Sequence, residues 1–335
     1  MKFSVGYQLF SDSEFIDKIA EYKEDIDEVY FSWADFPNGR NNQIKRSDMT
    51  PLEALEKMNA DLKKLSESGI SMNLLFNATC YGKDSQSRAF FEKVGDSIDL
   101  VQRRYGLKSV TTASPLIAKF IKANFSDVDV RASVNMCIGT KEGMDYVKGS
   151  FDSFYLKREL NRDFAAIKSL KTWCDENGKK LYALANSGCL NNCSAHTFHD
   201  NLVSHESEIS AMDNGYVFEG ICHGYLKDEE NILKLPEITN FIRPEDVHLY
   251  EGLFPAMKLA TRVNADPIKI LDAYIKNKKF VGSVLSLLEP NHTMTIRPYF
   301  YENSLIESKT ENDKLIYQGT EKALIKLEED VYANE

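Results

Sequence analysis

Along the first 285 residues, short apolar runs alternate with longer stretches whose apolar positions recur every three or four residues. FSVGYQL (3–9) and EVYFSW (28–33) predict strands. Between them Phe15, Ile19, Tyr22 and Ile26 mark a helix face, with Ser11 and Glu14 as its capping box. Thr50-Pro51-Leu52-Glu53 opens the next helix with a capping hydroxyl, a proline at the first position and a glutamate that closes the box. Leu52, Leu55, Met58, Leu62 and Leu65 line its expected buried face. Further strands are expected at 71–78, 109–113, 128–136, 151–156, 180–186 and 255–260, separated by helices near 86–105, 115–124, 141–148 and 160–176. Residues 190–240 break this rhythm, with clustered His, Asn, Ser, Gly and Cys. Arg243-Pro244-Glu245-Asp246 starts another helix, and a last one is expected over 266–278.

Strand followed by helix, about eight times over, predicts an α/β fold: a parallel (β/α)8 TIM-type barrel with an irregular Cys/His-rich segment at its mouth. A doubly wound open sheet is the alternative. Against it, no G-x-G-x-x-G or G-x-x-x-x-G-K-[ST] run follows any strand.

Composition narrows the function. Of 335 residues, 43% are hydrophobic, enough to bury a full core. Lys plus Arg number 41 and Asp plus Glu 51, a formal charge of −10, so no general basic footprint for duplex nucleic acid exists. No window approaches the ~18 apolar residues of a membrane span. The opening MKFSVGYQLFSDSEF lacks the apolar core of a secretory signal. A cytoplasmic protein with six reduced cysteines is the expectation.

In such a barrel chemistry sits at the carboxyl ends of the strands. Cys80, Cys137 and Cys189 each close an expected strand there, whereas Cys174 lies mid-helix and reads as a small buried hydrophobe. Cys189 and Cys193 form C-x-x-x-C, and Cys222 follows in the irregular segment. With one more strand-end cysteine these make four thiolates, the number a 4Fe–4S cluster uses. Structural zinc is the alternative, held by four thiolates or by three and an imidazole from His196, His199 or His223. His196 and His199, three apart, share a face of any helix there and are candidate proton carriers; His205 reads as an ordinary surface residue. Arg158 and Arg162 follow the strand 151–156, at the end where a guanidinium suits a substrate carboxylate or phosphate. The competing reading pairs them with Glu159 and Asp163. Arg40, in PNGRNN, and Arg243, which helix capping leaves unexplained, complete the anion-binding candidates. No G-x-S-x-G or H-E-x-x-H occurs. A thiol protease would need a Cys–His pair, for which Cys193 and His196 are the available residues.

In order along the chain, NLLFNATC, SVTTASPLIAKFIK, VRASVN, LNRDF, NSGCLNNCSAHTFH and FIRPEDVHLYE resemble the collagenase-like peptidase family, U32, over about residues 1–285. That resemblance implies two layers of function. The family carries a peptidase name. Its better-understood relatives are iron–sulfur proteins with four cysteine ligands, which act in oxygen-independent hydroxylation of ubiquinone precursors or RNA bases, with prephenate implicated as oxygen donor. Carried over, Cys189, Cys193 and Cys222 match the clustered cysteines. Cys80 matches the early strand-end cysteine and is taken as the fourth ligand, with Cys137 in reserve. Ser194 stands where a proline often follows, and the signature G-x-x-C-x-x-x-x-G-x-C of longer peptidase members is absent. The chain then divides into a barrel domain, 1–285, with a cluster-binding segment 187–225, and a C-terminal extension, 286–335, packing on the barrel. The expected function is iron–sulfur redox chemistry on a small anionic substrate, with Arg158, Arg162, His196 and His199 catalytic and Arg40 and Arg243 binding substrate. A peptidase and a zinc-stabilised non-catalytic barrel are the alternatives. The resemblance leaves room for a protein partner of the same family.

Overall fold

The computed structural model describes residues 1–33, 36–39, 49–83, 85–212 and 220–327. Strands β1 (Lys2–Gly6), β2 (Ile26–Ser32), β3 (Ser71–Phe76), β4 (Leu107–Thr112), β5 (Asp129–Ala132), β6 (Ser153–Tyr155), β7 (Lys180–Leu184) and β8 (Ala256–Leu259) form a closed barrel in chain order. Every pairing is parallel, and β8 closes on β1 through Ser4 opposite Lys258. The barrel expected from the sequence is thus present, and the open sheet is excluded. Each strand turns one face to the surrounding helices, and the buried apolar residues there are why the strands stood out as runs. The runs overshoot the strands at their carboxyl ends. The run 128–136 stops as strand at Ala132 and turns through a 3-10 segment, Val134–Met136. Residues past the strand stay buried because they line the barrel mouth, so apolar character does not mark where pairing ends.

The crossovers are α1 (Glu14–Glu21), α2 (Pro51–Glu67), α3 (Arg88–Tyr105), α4 (Pro115–Asn124), α5 (Lys141–Val147) and α6 (Phe164–Glu176). At α2 the capping box forms: the Thr50 hydroxyl accepts from Glu53 N, and the Glu53 carboxylate accepts from Thr50 N at 2.9 Å. Its apolar stripe is buried only from Met58 onward. Leu52 and Leu55, expected inside, are exposed on the first turns. The Ser11–Glu14 box does not form at α1. The helix starts one residue past Ser13, and Asp12 Oδ1 accepts from Glu14 N at 3.0 Å. The Pro244 start gives a 3-10 segment, Pro244–Tyr250, and not an α-helix.

The segment expected to be irregular contains a long helix, α7 (His196–Met212). It shows weak periodicity because polar side chains face the barrel: buried Ser204 accepts a hydrogen bond from Thr79 N at 3.2 Å. No described helix is long and apolar enough to cross a membrane.

Inside the barrel the layers are unusually polar. Glu28 of β2 is fully buried and accepts from Ser4, Asn73 and Ser109 at 3.0, 2.8 and 3.0 Å, while Arg131 of β5 pairs with both its oxygens. Burial alone would raise this carboxyl's pKa. The Arg131 charge and the hydrogen bonds outweigh it and hold the group below its ordinary value. The Arg131 guanidinium in turn lies 3.9 Å from the Tyr182 ring centre.

After β8 the chain returns to the mouth. Glu289 N donates to Asn186 O, and Gly188 N donates to Glu289 O at 2.9 Å. Only glycine allows this approach, since a Cβ at 188 would sit 2.2 Å from the Pro290 carbonyl oxygen. The tail then forms two small antiparallel pairs. One joins β9 (Tyr299–Tyr301) to β12 (Leu324–Lys326); the other is the hairpin of β10 (Glu307–Glu311) and β11 (Lys314–Gln318).

Candidate active site at the barrel mouth

Three cations converge on a small pocket, about 30 Å³, at the carboxyl ends of the strands: Arg158, Lys258 and Arg262, together with Asn77, Asn135 and Glu289. Arg158 follows β6. Its Nη2 donates to Asn135 Oδ1 at 2.9 Å, and Asn135 Nδ2 donates to Asn77 O at 3.1 Å, so the turn after β5 fixes the guanidinium. Arg262 Nη1 reaches Asn38 Oδ1 at 3.3 Å. Lys258 points inward from β8, with its ammonium 3.9 Å from the Tyr30 ring centre. Burial, then the neighbouring Arg262 charge, pull its pKa down to about 7. A protein of net charge −10 has thus concentrated positive charge where a barrel binds substrate.

The clustered cysteines lie one short segment away. Burial, then the adjacent Cys189 and Cys193 thiols, raise the pKa of Cys222. Ligand atoms of Cys222, His223 and His292 lie within 4.8 Å of one another. His292 is fully buried. Its Nε2 is 2.8 Å from Gly188 O, while its Nδ1 has no hydrogen-bond partner among the described residues. With Nε2–H donated to a carbonyl, Nδ1 is left as a lone-pair donor, and burial holds the ring neutral by lowering its pKa. An imidazole oriented in this way is what metal ligation uses.

The other two strand-end cysteines each meet a different imidazole. Cys137 Sγ is 3.9 Å from His196 Nδ1, and His196 Nε2 is 3.2 Å from Asp200. Hydrogen bonds from Asp200 and then Cys137 push His196 up to about 10, against the opposing charge of Arg158, which contacts the same ring. Cys137 has a left-handed backbone, φ 52°, a conformation uncommon for a residue with a side chain. Cys80 pairs with His205, whose Nδ1 is 3.2 Å from Glu208. The hydrogen bond between His205 and the Cys80 sulfur, followed by one from the Gly82 backbone, lowers the Cys80 pKa. Cys174 is buried, as expected, and burial followed by the Asp175 charge pushes its thiol up to about 12.

The arginines expected to share one cavity are separated. Only Arg158 lines the mouth pocket. Arg162 donates to the carbonyls of Pro236, Glu237 and Thr239 and stacks 4.6 Å from the Tyr317 ring, in a separate cleft against β11. Arg243 is buried and donates to Asn303, Ile306 and Ser308, anchoring the tail. Its extra charge at a helix start is explained by those carbonyls. Arg40 lies outside the described residues. His199 N donates to Ala195 O in the first turn of α7.

The sequence reading missed Lys258, Arg262, Glu289, His292 and Asp200. Lys258 carried a signal: a lysine inside the apolar strand AMKL has no place in a core without a purpose. His292 and Glu289 carried none, since they reach the mouth from beyond the last barrel strand.

No family model matches the chain. A protein of Methanocaldococcus jannaschii named as an uncharacterised protease is 28% identical over 197 residues, 56% of this chain and 54% of that protein. The aligned part is therefore about half the relative's length. A solved structure described as a U32 peptidase superposes with a TM-score of 0.54 at 15% identity, covering 77% of this chain and 91% of that one. A likeness at that identity shows the fold. The chain is a parallel (β/α)8 barrel protein, similar in fold to a structure described as a U32 peptidase and, over about half its length, similar in sequence to a protein named as a protease.

Proposed function

We propose that the barrel mouth is the active site of an enzyme that takes a small anionic substrate against Arg158, Lys258 and Arg262 and performs oxygen-independent redox chemistry with a 4Fe–4S cluster bound by Cys189, Cys193 and Cys222. The convergence of three cations beside these thiols carries the reading, since residues 289–292 supply Glu289 to the pocket and His292 to the thiols. The donor set fits a four-ligand group. Three thiols are neighbours, and the unpartnered Nδ1 of buried His292 supplies a fourth donor, while Cys80 and Cys137 are each paired with an imidazole. When bound, a cluster supplies one-electron transfer. Arg158, fixed by Asn135, orients the substrate carboxylate, and protonated His196 beside it holds a proton at Nδ1 or Nε2 for delivery. Zinc is the alternative occupant, because three thiolates and one imidazole are also its structural set.

Metal analysis of protein purified without oxygen tests this. About four irons per chain with matching sulfide, and broad absorption near ~400 nm, are expected, and Cys222→Ser should lose both. A colourless protein carrying only zinc sinks the redox reading.

A second reading, thiol peptidase, is favoured by the Cys137–His196–Asp200 arrangement, in which the imidazole faces the sulfur it would activate and the carboxylate can hold the ring. Peptide cleavage abolished by Cys137→Ala but kept in Cys222→Ser would select it.

A further inference from the structure

We propose that Lys258 is an imine-forming residue, whose amine condenses with the carbonyl of a small 2-oxo acid while Arg158 and Arg262 hold its carboxylate. The proposal rests on the anionic-substrate reading of the mouth and is independent of the metal centre.

A buried lysine ordinarily finds a carboxylate. The Lys258 ammonium makes no hydrogen bond or ion pair with any described residue. The buried acid beneath it, Glu28, is already occupied by Arg131, Ser4, Asn73 and Ser109. The ammonium instead faces two rings, 3.9 Å from the centre of Tyr30 and 5.2 Å from that of Tyr155. Burial and Arg262 disfavour its charge, so much of it is free amine at neutral pH. Desolvation together with a neighbouring cation is how a lysine becomes a nucleophile toward carbonyls.

The pocket's size selects the partner. At about 30 Å³ it seats a group only a few times the ~10–15 Å³ that one water needs, such as a carboxylate with its adjoining carbonyl. Two guanidiniums suit the carboxylate, and the amine then meets the neighbouring carbon.

The step balances without oxidant or reductant. The Nζ lone pair forms the C–N bond as the carbonyl electrons move to oxygen. Both nitrogen protons pass in turn, through the Glu289 carboxylate, to the former carbonyl oxygen, which leaves as water while the nitrogen pair closes the C=N bond. The imine, on taking one proton from solvent, then draws electrons from the adjacent carbon, which suits proton or C–C bond chemistry there.

Pyruvate, as the probe, with sodium cyanoborohydride should give one reduced adduct per chain, mapped to Lys258 by peptide mass spectrometry. It should form at least about tenfold faster than on surface lysines, whose ordinary pKa is near ~10.4. Propionate, which has the carboxylate but no carbonyl, should slow it, and Arg158→Ala should slow it further. Lys258→Arg should abolish the mapped adduct while thermal unfolding and circular dichroism show the barrel intact; if that variant does not fold, the wild-type map and the propionate competition decide alone. Pyruvate that raises the unfolding temperature yet leaves no adduct on Lys258 overturns imine formation and leaves the anion site standing. Failure of both pyruvate and propionate to bind overturns both.

Discussion

The cysteines of this chain differ by their immediate surroundings and not by their spacing. Cys80 sits with His205, which favours its thiolate, whereas Cys174 is buried with its sulfur 4.0 Å from Met144 Sδ and is held protonated. Iodoacetamide at neutral pH should therefore label Cys80 well before Cys174, with Cys174 reacting only on unfolding; mass mapping over time checks this. At the same scale, Glu28 and Arg131 form a buried pair, with Asp129 at 4.0 Å from the guanidinium and a few hydroxyls, amides and rings around both. Arg131→Met should cost about 3–5 kcal/mol by leaving a buried carboxylate uncompensated, and adding Glu28→Leu should recover much of it. Urea unfolding of the single and double variants measures both.

Elements decide which of these residues meet. Strand β5 is short, and the turn after it carries Asn135 to Arg158 and Cys137 to His196. Helix α7 brings His196, Asp200 and His205 over the mouth on successive turns, so one element serves both Cys–His pairs. Helix α2 is held by its cap: Thr50→Ala should lower stability by about 1 kcal/mol, read as a shift in the urea midpoint with unchanged slope. Its first turns expose Leu52 and Leu55, so no larger packing loss accompanies the change.

Across the whole molecule, two mouth groups give stability opposite dependence on pH. Lys258 titrates near 7 when folded and at 10.5 otherwise, so between those values the unfolded chain binds more protons and stability rises with pH. The slope is about 1.4 kcal/mol per pH unit where the difference is a full proton. His196 runs the other way. Its folded value is about 10 against 6.5, so its contribution is complete below 6.5 and is lost as pH climbs toward 10, by a smaller amount because the ring is partly exposed. Between pH 7 and 10 the Lys258 contribution should therefore outweigh that of His196, and wild-type stability should rise with pH. With Lys258→Met that rise should disappear, and with His196→Gln it should steepen, as urea titration at several pH values measures.

The sequence by itself determined the barrel. A strand's helix-facing side must be apolar, and a crossover helix must show a 3.6-residue stripe, so eight alternations leave a record no loop can erase. It also placed Cys80, Cys137 and Cys189 just past strand ends, the end at which a barrel of this kind binds substrate. Tertiary structure alone decided the partners. Arg158, Arg162 and Arg243 look alike in sequence, yet one faces the mouth, one binds carbonyls of residues 236–239 and one binds the tail, since a guanidinium's role depends on what folds against it. His196 lies three residues from Cys193 but meets Cys137, fifty-nine positions away, because α7 turns its side chain across the barrel. Lys258, Glu289 and His292 join the site only when the barrel closes and the chain beyond it returns, and no local pattern encodes a contact made by closure.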